Sequence, residues 1–285
     1  MRHTKKLAIL AALISLLFLG SSPALAQKKL RLAYVEWDCA AASTHLVQAV
    51  LQEKLGYEVE ILPVAAAAMW QAIGTGNVDA MVTAWLPVTH ADYYARVKNR
   101  VEDLGPIVGG AKLGWAVPAY VTIDSIGELN AHAGRFKNKI IGIDPGAGLM
   151  RLSEQAMKDY GLNKLELMEG SGATMTAALD TAIRRKEWVV VTAWSPHWMF
   201  GKWNLKYLKD PKGVLGEEEQ IHTIVRKGLK QDNPDAYKVL KNFAWKDPGQ
   251  LQMVMAWDQE PKADRYENAK RFIRENEAQV KSWLP

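Results

Sequence analysis

Val189-Val-Val-Thr-Ala-Trp-Ser-Pro-His-Trp-Met-Phe200 opens as an apolar, β-branched run and reaches Trp-x-Pro. The same frame stands a domain's length earlier, in Met81-Val-Thr-Ala-Trp-Leu-Pro87. The residues upstream match too: Ala68-Met69 with Ala72-Ile73 before the first copy, Thr174-Met175 with Ala182-Ile183 before the second. Each unit reads as helix, short polar turn, buried strand, Trp-x-Pro. Such a unit builds a βα layer with a parallel sheet covered on both faces. Ligands of these sheets sit beyond the carboxyl ends of strands, where both Trp-x-Pro segments fall. Two copies imply a two-lobed α/β fold, each lobe a central sheet flanked by helices, with a cleft between them.

Upstream of this pair, Arg2, Lys5 and Lys6 precede an uncharged apolar stretch, Leu7 to Gly20, and then Ser21-Ser-Pro-Ala-Leu-Ala26. That is the pattern of a secretory signal peptide, residues 1–26, cleaved before Gln27. The apolar run is shorter than the roughly 20 residues a membrane span needs. No Cys stands at the cleavage point, so an exported, periplasmic, soluble protein is expected. Removing those three cations from the 36 basic side chains leaves 33 against 31 acidic ones. Near-balance gives no reason to expect nucleic acid or an anionic membrane as partner. The single Cys, Cys39, excludes an internal disulfide and thiolate metal sites. Nothing in the sequence asks for a metal or a cofactor.

The remaining elements alternate. Leu30–Trp37 reads as a strand, Ser43–Leu55 as a helix ended by Gly56, and Tyr57–Leu62 as a strand. Asp103-Leu-Gly-Pro-Ile-Val-Gly-Gly110 is turn-rich, and Leu113–Val121 reads as an extended crossing segment with Gly114 and Pro118 as hinge candidates. Lys139–Ile143 is a short buried strand leading through Asp144-Pro-Gly-Ala-Gly148 into a helix. Ile221–Val225 reads as a return strand, and the tail from Asp235 as helices. The expected division is a first lobe of 27–112 and 217–285 with a second lobe, 113–216, inserted in it.

A catalytic constellation is hard to assemble. There is no Gly-x-Ser-x-Gly elbow and no His-Glu-x-x-His. His90 and His197 each follow a Trp-x-Pro strand end and are candidates for the cleft lining. The Asp144–Gly148 turn lacks the Lys-Ser/Thr of a phosphate loop, though its backbone N–H groups suit an anion. Tryptophan stands out, with eleven residues against five Phe. Indole faces attract a diffuse cation, quaternary ammonium above all. Trp85, Trp194 and Trp198 cluster at strand ends, and Trp37 and Trp245 are able to join them from the first lobe. The same residues would also serve as core and hinge packing.

Several segments together resemble the glycine betaine-binding receptors of ABC transporters. They are Tyr34-Val-Glu-Trp37, Asp79–His90, Val101–Pro106, Lys139–Gly148, Val191–Phe200, Leu208–Gly213 and Ile221–Leu229. The resemblance implies a Venus-flytrap receptor of the type II periplasmic-binding-protein fold, closing on a methylated ammonium osmolyte and serving a membrane permease. Three aromatic rings enclose the cation in that family. Motif matching assigns them to Trp85, Trp198 and Trp245, with Trp194 competing for the second. The family's backbone carboxylate donors match Ala40 and Ala41. Relatives often place a His beyond the third Trp, where this chain has Gln250.

A receptor for choline, carnitine or a sulfonium osmolyte is the alternative, with Asp38 as the acidic group choline would require. An exported hydrolase of quaternary ammonium esters would need a nucleophile and base that the sequence does not pair.

Overall fold

The strand that ties the molecule together is β4 (Val101–Pro118), eighteen residues long and shared by both halves of the sheet. The computed structural model describes residues 28–285, so the signal peptide expected at 1–26 lies outside the described residues. Before β4 come β1 (Lys29–Tyr34), α1 (Asp38–Leu55), β2 (Glu58–Pro63), α2 (Ala66–Thr75), β3 (Ala80–Leu86) and α3 (Ala91–Val97). After it come a 3-10 helix (Ile126–Phe136), β5 (Lys139–Ile141), α4 (Gly148–Asp159), β6 (Glu166–Met168), α5 (Gly172–Arg184), β7 (Val191–Ser195), α6 (Met199–Lys202) and β8 (Leu205–Tyr207). The chain returns as β9 (Glu219–Arg226) and ends in α7 (Leu229–Asp232), α8 (Pro234–Asn242), α9 (Pro248–Trp257), α10 (Arg265–Glu275) and α11 (Glu277–Trp283).

The strand order is β2-β1-β3-β9-β4-β7-β5-β6, with β8 also on β4. In the first lobe β1 pairs parallel with β2 and β3, and in the second β5 pairs parallel with β6 and β7. These are the βα units read from the repeated frame, and β3 is buried at every residue. The sheet is mixed, however, because β4 and β9 run antiparallel to their neighbours. β4 follows β9 from Val101↔Arg226 to Ala111↔Glu219 and switches at once to β7, from Lys112↔Ser195.

Asp103–Gly110 is therefore strand where the sequence suggests turns. Its Gly and Pro residues are accommodated by register shifts between Asp103 and Gly105, Pro106 and Val108, and Val108 and Ala111. Gly110, at φ +70°, sits at the changeover and uses a conformation that glycine adopts freely. Gly114 has a different task. It lies inside the β4–β7 pairing, and a Cβ there would stand 2.4 Å from the Tyr207 ring. Close packing, rather than hinge freedom, explains it.

α1 begins five residues earlier than the Ser43 start read from its apolar face and ends, as expected, at Gly56 with φ +68°. Its extra first turn is what carries the chain into the site. Among the described residues, no helix is long and apolar enough to cross a membrane.

Candidate ligand-binding site

Both Trp-x-Pro frames end on a cis peptide bond, Leu86–Pro87 and Ser195–Pro196. Trp85 and Trp194 come from the carboxyl ends of β3 and β7, and Trp37 follows β1 as the N-cap of α1. Together with His90 they line a partly open cavity at the lobe interface. Cys39, Thr89, Leu113, Ile143, Ala147 and Leu149 complete the wall. No charged side chain is among the lining residues. All three indoles are buried.

The Trp85–His90 turn is locked twice. The backbone N–H of His90 donates to the Trp85 carbonyl at 3.0 Å, and the backbone N–H of Trp85 donates to His90 Nδ1, also at 3.0 Å. An Nδ1 that accepts leaves the proton of the neutral ring on Nε2. That Nε2 is buried and has no protein partner, and the ring stacks on Trp37 with centroids 5.7 Å apart. Burial, aided by the charge of Arg151, lowers the His90 pKa to about 3. His90 is thus a neutral donor facing an apolar cavity, a group suited to hold an anion without carrying charge itself. The indole Nε1 of Trp194 is likewise buried without a partner.

His90 also makes stability depend on pH. Unfolded, an imidazole takes a proton near pH 6.5, whereas His90 does so only near 3. Between those values the unfolded state holds more protons, so the contribution is complete above pH 6.5 and is lost as pH falls toward 3. The loss by pH 4 is expected to be on the order of 3 kcal/mol. Chemical denaturation of wild type and His90→Gln at pH 7 and pH 4 checks this. The two should lose stability unequally, wild type losing more.

Two helices begin at the cavity, and neither has a side-chain cap. In α1 the N–H of Ala41 already donates to the Trp37 carbonyl at 2.8 Å, while no acceptor is found for Cys39 or Ala40. In α4 the N–H groups of Met150 and Arg151 share the Ala147 carbonyl, and none is found for Gly148 or Leu149. Free N–H groups at helix N-termini favour an anion.

The other candidates lie elsewhere. Trp198 caps α6 outside the cavity, lining two outer grooves. Its indole donates to Asp38 Oδ2 at 3.0 Å across the lobes, and Lys202 Nζ lies 5.5 Å from its ring centre. Asp38 takes a further hydrogen bond from Gln259 and faces His197 Nε2 at 3.3 Å. Burial works against its charge, but His197, Trp198 and Arg265 outweigh it and hold the carboxyl below its ordinary range. His197 is fully buried, and its Nδ1 accepts the Met199 N–H.

Trp245 is packed between Phe243 and Phe272, with its N–H on Ser43 Oγ at 3.1 Å. Gln250 bridges the C-terminal helices, its Oε1 accepting the Lys246 backbone N–H and its amide exchanging hydrogen bonds with that of Gln279. Trp245→Ala is expected to cost about 3–5 kcal/mol by leaving a core cavity. Ligand affinity of the folded protein should change by less than about threefold (~0.7 kcal/mol); urea denaturation and calorimetric titration read the two separately.

Sequence reasoning did not single out Ile143, Ala147 and Leu149 as cavity wall. Their signal is the glycine-rich Asp144–Gly148 turn, whose N–H groups suit an anion but whose position opposite Trp37 depends on the lobes meeting.

A two-lobed α/β fold, closed over an aromatic and uncharged interlobe cavity, defines a solute-binding receptor of the periplasmic-binding-protein class. Residues 28–275 match the family described as the substrate binding domain of ABC-type glycine betaine transport system, and the chain belongs to that family. It is similar to lactococcal OpuAC, solved in its closed-liganded conformation with glycine betaine (41% identity, TM-score 0.85, covering 91% of this chain and 100% of that one). The glycine betaine/L-proline-binding protein ProX of Borrelia burgdorferi is similar as well (39% identity, TM-score 0.86, covering 90% and 97%). The glycine betaine/carnitine transport binding protein GbuC of Listeria monocytogenes is 46% identical over 146 residues, 50% of this chain and 48% of that protein. The match thus spans about half the length of that curated relative.

Proposed function

We propose that this protein is an extracytoplasmic receptor of an ABC importer that captures glycine betaine, or a close quaternary ammonium relative, and presents it to a membrane permease. The observation that carries the reading is the cavity itself: three indoles, from Trp37, Trp85 and Trp194, around a space with no charged side chain. Trimethylammonium suits this wall. It has no N–H donors to leave unpaired among the rings, whereas an unmethylated ammonium would lose hydrogen bonds to water without replacement. The carboxylate of the same zwitterion would take the free Nε2–H of His90 and the unpaired N–H groups of Gly148 and Leu149, with those of Cys39 and Ala40 opposite. Several such contacts together support an affinity near the micromolar range, roughly −8 kcal/mol.

This cage keeps Trp85 from the motif assignment and takes Trp194 and Trp37 in place of Trp198 and Trp245. The lobes, taken as 27–112 with 217–285 and as 113–216, would close about the crossing strands and shut the cage.

Choline is the less favoured ligand. It has no carboxylate for the free donors, and Asp38 is turned to Trp198 and Gln259, outside the cavity wall. Ester hydrolysis is not supported either. Burial, with the Asp38 charge, pushes the Cys39 thiol up to about 12. A neutral thiol beside a histidine of very low basicity makes neither nucleophile nor base.

The test is intrinsic tryptophan fluorescence titrated with glycine betaine and then choline. A saturable response to betaine at micromolar concentration is expected. A response to choline alone, or to neither, would overturn the assignment.

A further inference from the structure

Resting on that reading, the contact behind Trp37 bears on why the ligand carries a positive charge. The Trp37 indole N–H donates to Asp144 Oδ1 at 2.8 Å, from the first lobe to the second. Asp144 is half-buried. Trp37 is the partner found for its carboxylate, and no ion pair within 4.0 Å involves it among the described residues. The other carboxylate that accepts an indole N–H, Asp38, is shared among Trp198, His197 and Gln259. Its indole faces an outer groove rather than the cavity.

We propose that Asp144 is a specificity-determining residue. By accepting the Trp37 N–H, it makes the indole face in the cavity more negative and so favours a cationic head over a neutral one of the same shape. The nitrogen lone pair of indole belongs to the ring's π system. An anionic acceptor on the N–H shifts electron density toward the ring, and the attraction of a cation depends on the negative potential over that face. Burial of Trp37 removes the water that would otherwise screen the effect. The turn is fixed by the Ala147 N–H donating to the Asp144 carbonyl at 3.0 Å, which seats the carboxylate. Because donor and acceptor lie in different lobes, the polarised face exists only when the receptor is closed.

Asp144→Asn keeps an acceptor oxygen and removes the charge. Calorimetric titration uses glycine betaine and its uncharged-head isostere 3,3-dimethylbutanoate, the latter by competition if weak. Asp144→Asn is expected to raise the betaine Kd by about tenfold and the isostere Kd by less than about twofold. The second measurement uses betaine alone. In a Trp37→Phe background, which keeps a ring without the N–H, Asp144→Asn should cost less than about threefold. Equal weakening of both ligands would make Asp144 a closure contact only and overturn the proposal. So would an unchanged betaine Kd, or an undiminished effect in the Trp37→Phe background. Failure of wild type to bind betaine would instead overturn the receptor reading, so the two failures are distinct.

Discussion

Trp85→Ala and Trp194→Ala are each expected to raise the Kd for glycine betaine by a hundredfold or more. An indole face on a desolvated cation is worth about 2 kcal/mol or more, and truncation also lets water take the place of that face. About 2.7 kcal/mol corresponds to the hundredfold change. Trp85 is held by the doubly bonded turn to His90, and Trp194 by its place in β7 opposite Leu113. Trp198→Ala should cost about tenfold at most, because it removes one interlobe hydrogen bond to Asp38 rather than a wall of the cavity. Calorimetric titration of the three variants checks the order. Near-wild-type affinity in Trp194→Ala with loss of binding in Trp198→Ala would assign the second ring to Trp198.

That order also marks where the sequence stops being legible. The two βα frames carried local, periodic signals, and β3 and β7 with their preceding helices α2 and α5 were readable from them. So was the placement of Trp85 and Trp194 at strand ends. The choice between Trp194 and Trp198 was not. Four residues apart across a cis Ser–Pro bond, they diverge through a turn geometry that no periodicity encodes. Trp245 shows the opposite limit. An indole between Phe243 and Phe272 and one lining a cavity have the same local sequence character; only tertiary packing separates them. The Asp103–Gly110 stretch was opaque for a third reason. Its Gly and Pro residues signal turns, yet pairing with β9 through successive bulges holds it as strand. The proposed carboxylate donors follow the same logic. A helix N-terminus is visible in sequence to within a few residues, but a one-residue shift of its start decides whether Ala41 is free or, as here, already bonded to Trp37.

Gly148→Ala is expected to abolish lobe closure while leaving each lobe folded. Gly148 opens α4 in the second lobe, and a Cβ there would stand 2.2 Å from the carbonyl oxygen of Thr89 in the first. Thr89 has little freedom to retreat. Its N–H and that of Val88 both donate to the buried Glu219 carboxylate at 2.9 Å, and its hydroxyl bonds the same group. A backbone so anchored does not yield the ångström or more that a methyl requires. Opening of the lobes would relieve this contact, and Ala is favourable in a helix, so the unliganded Tm should stay within a few degrees of wild type. Betaine affinity should fall by at least about a hundredfold, and the thermal stabilisation that ligand confers on wild type should vanish with it. Gly146→Ala serves as the control, since a Cβ there meets only the Tyr93 hydroxyl at 4.0 Å. Small-angle scattering with and without saturating betaine then reads closure directly. Wild type and Gly146→Ala should compact, and Gly148→Ala should not; compaction of Gly148→Ala at wild-type affinity would mean that the Thr89–Gly148 contact does not control closure.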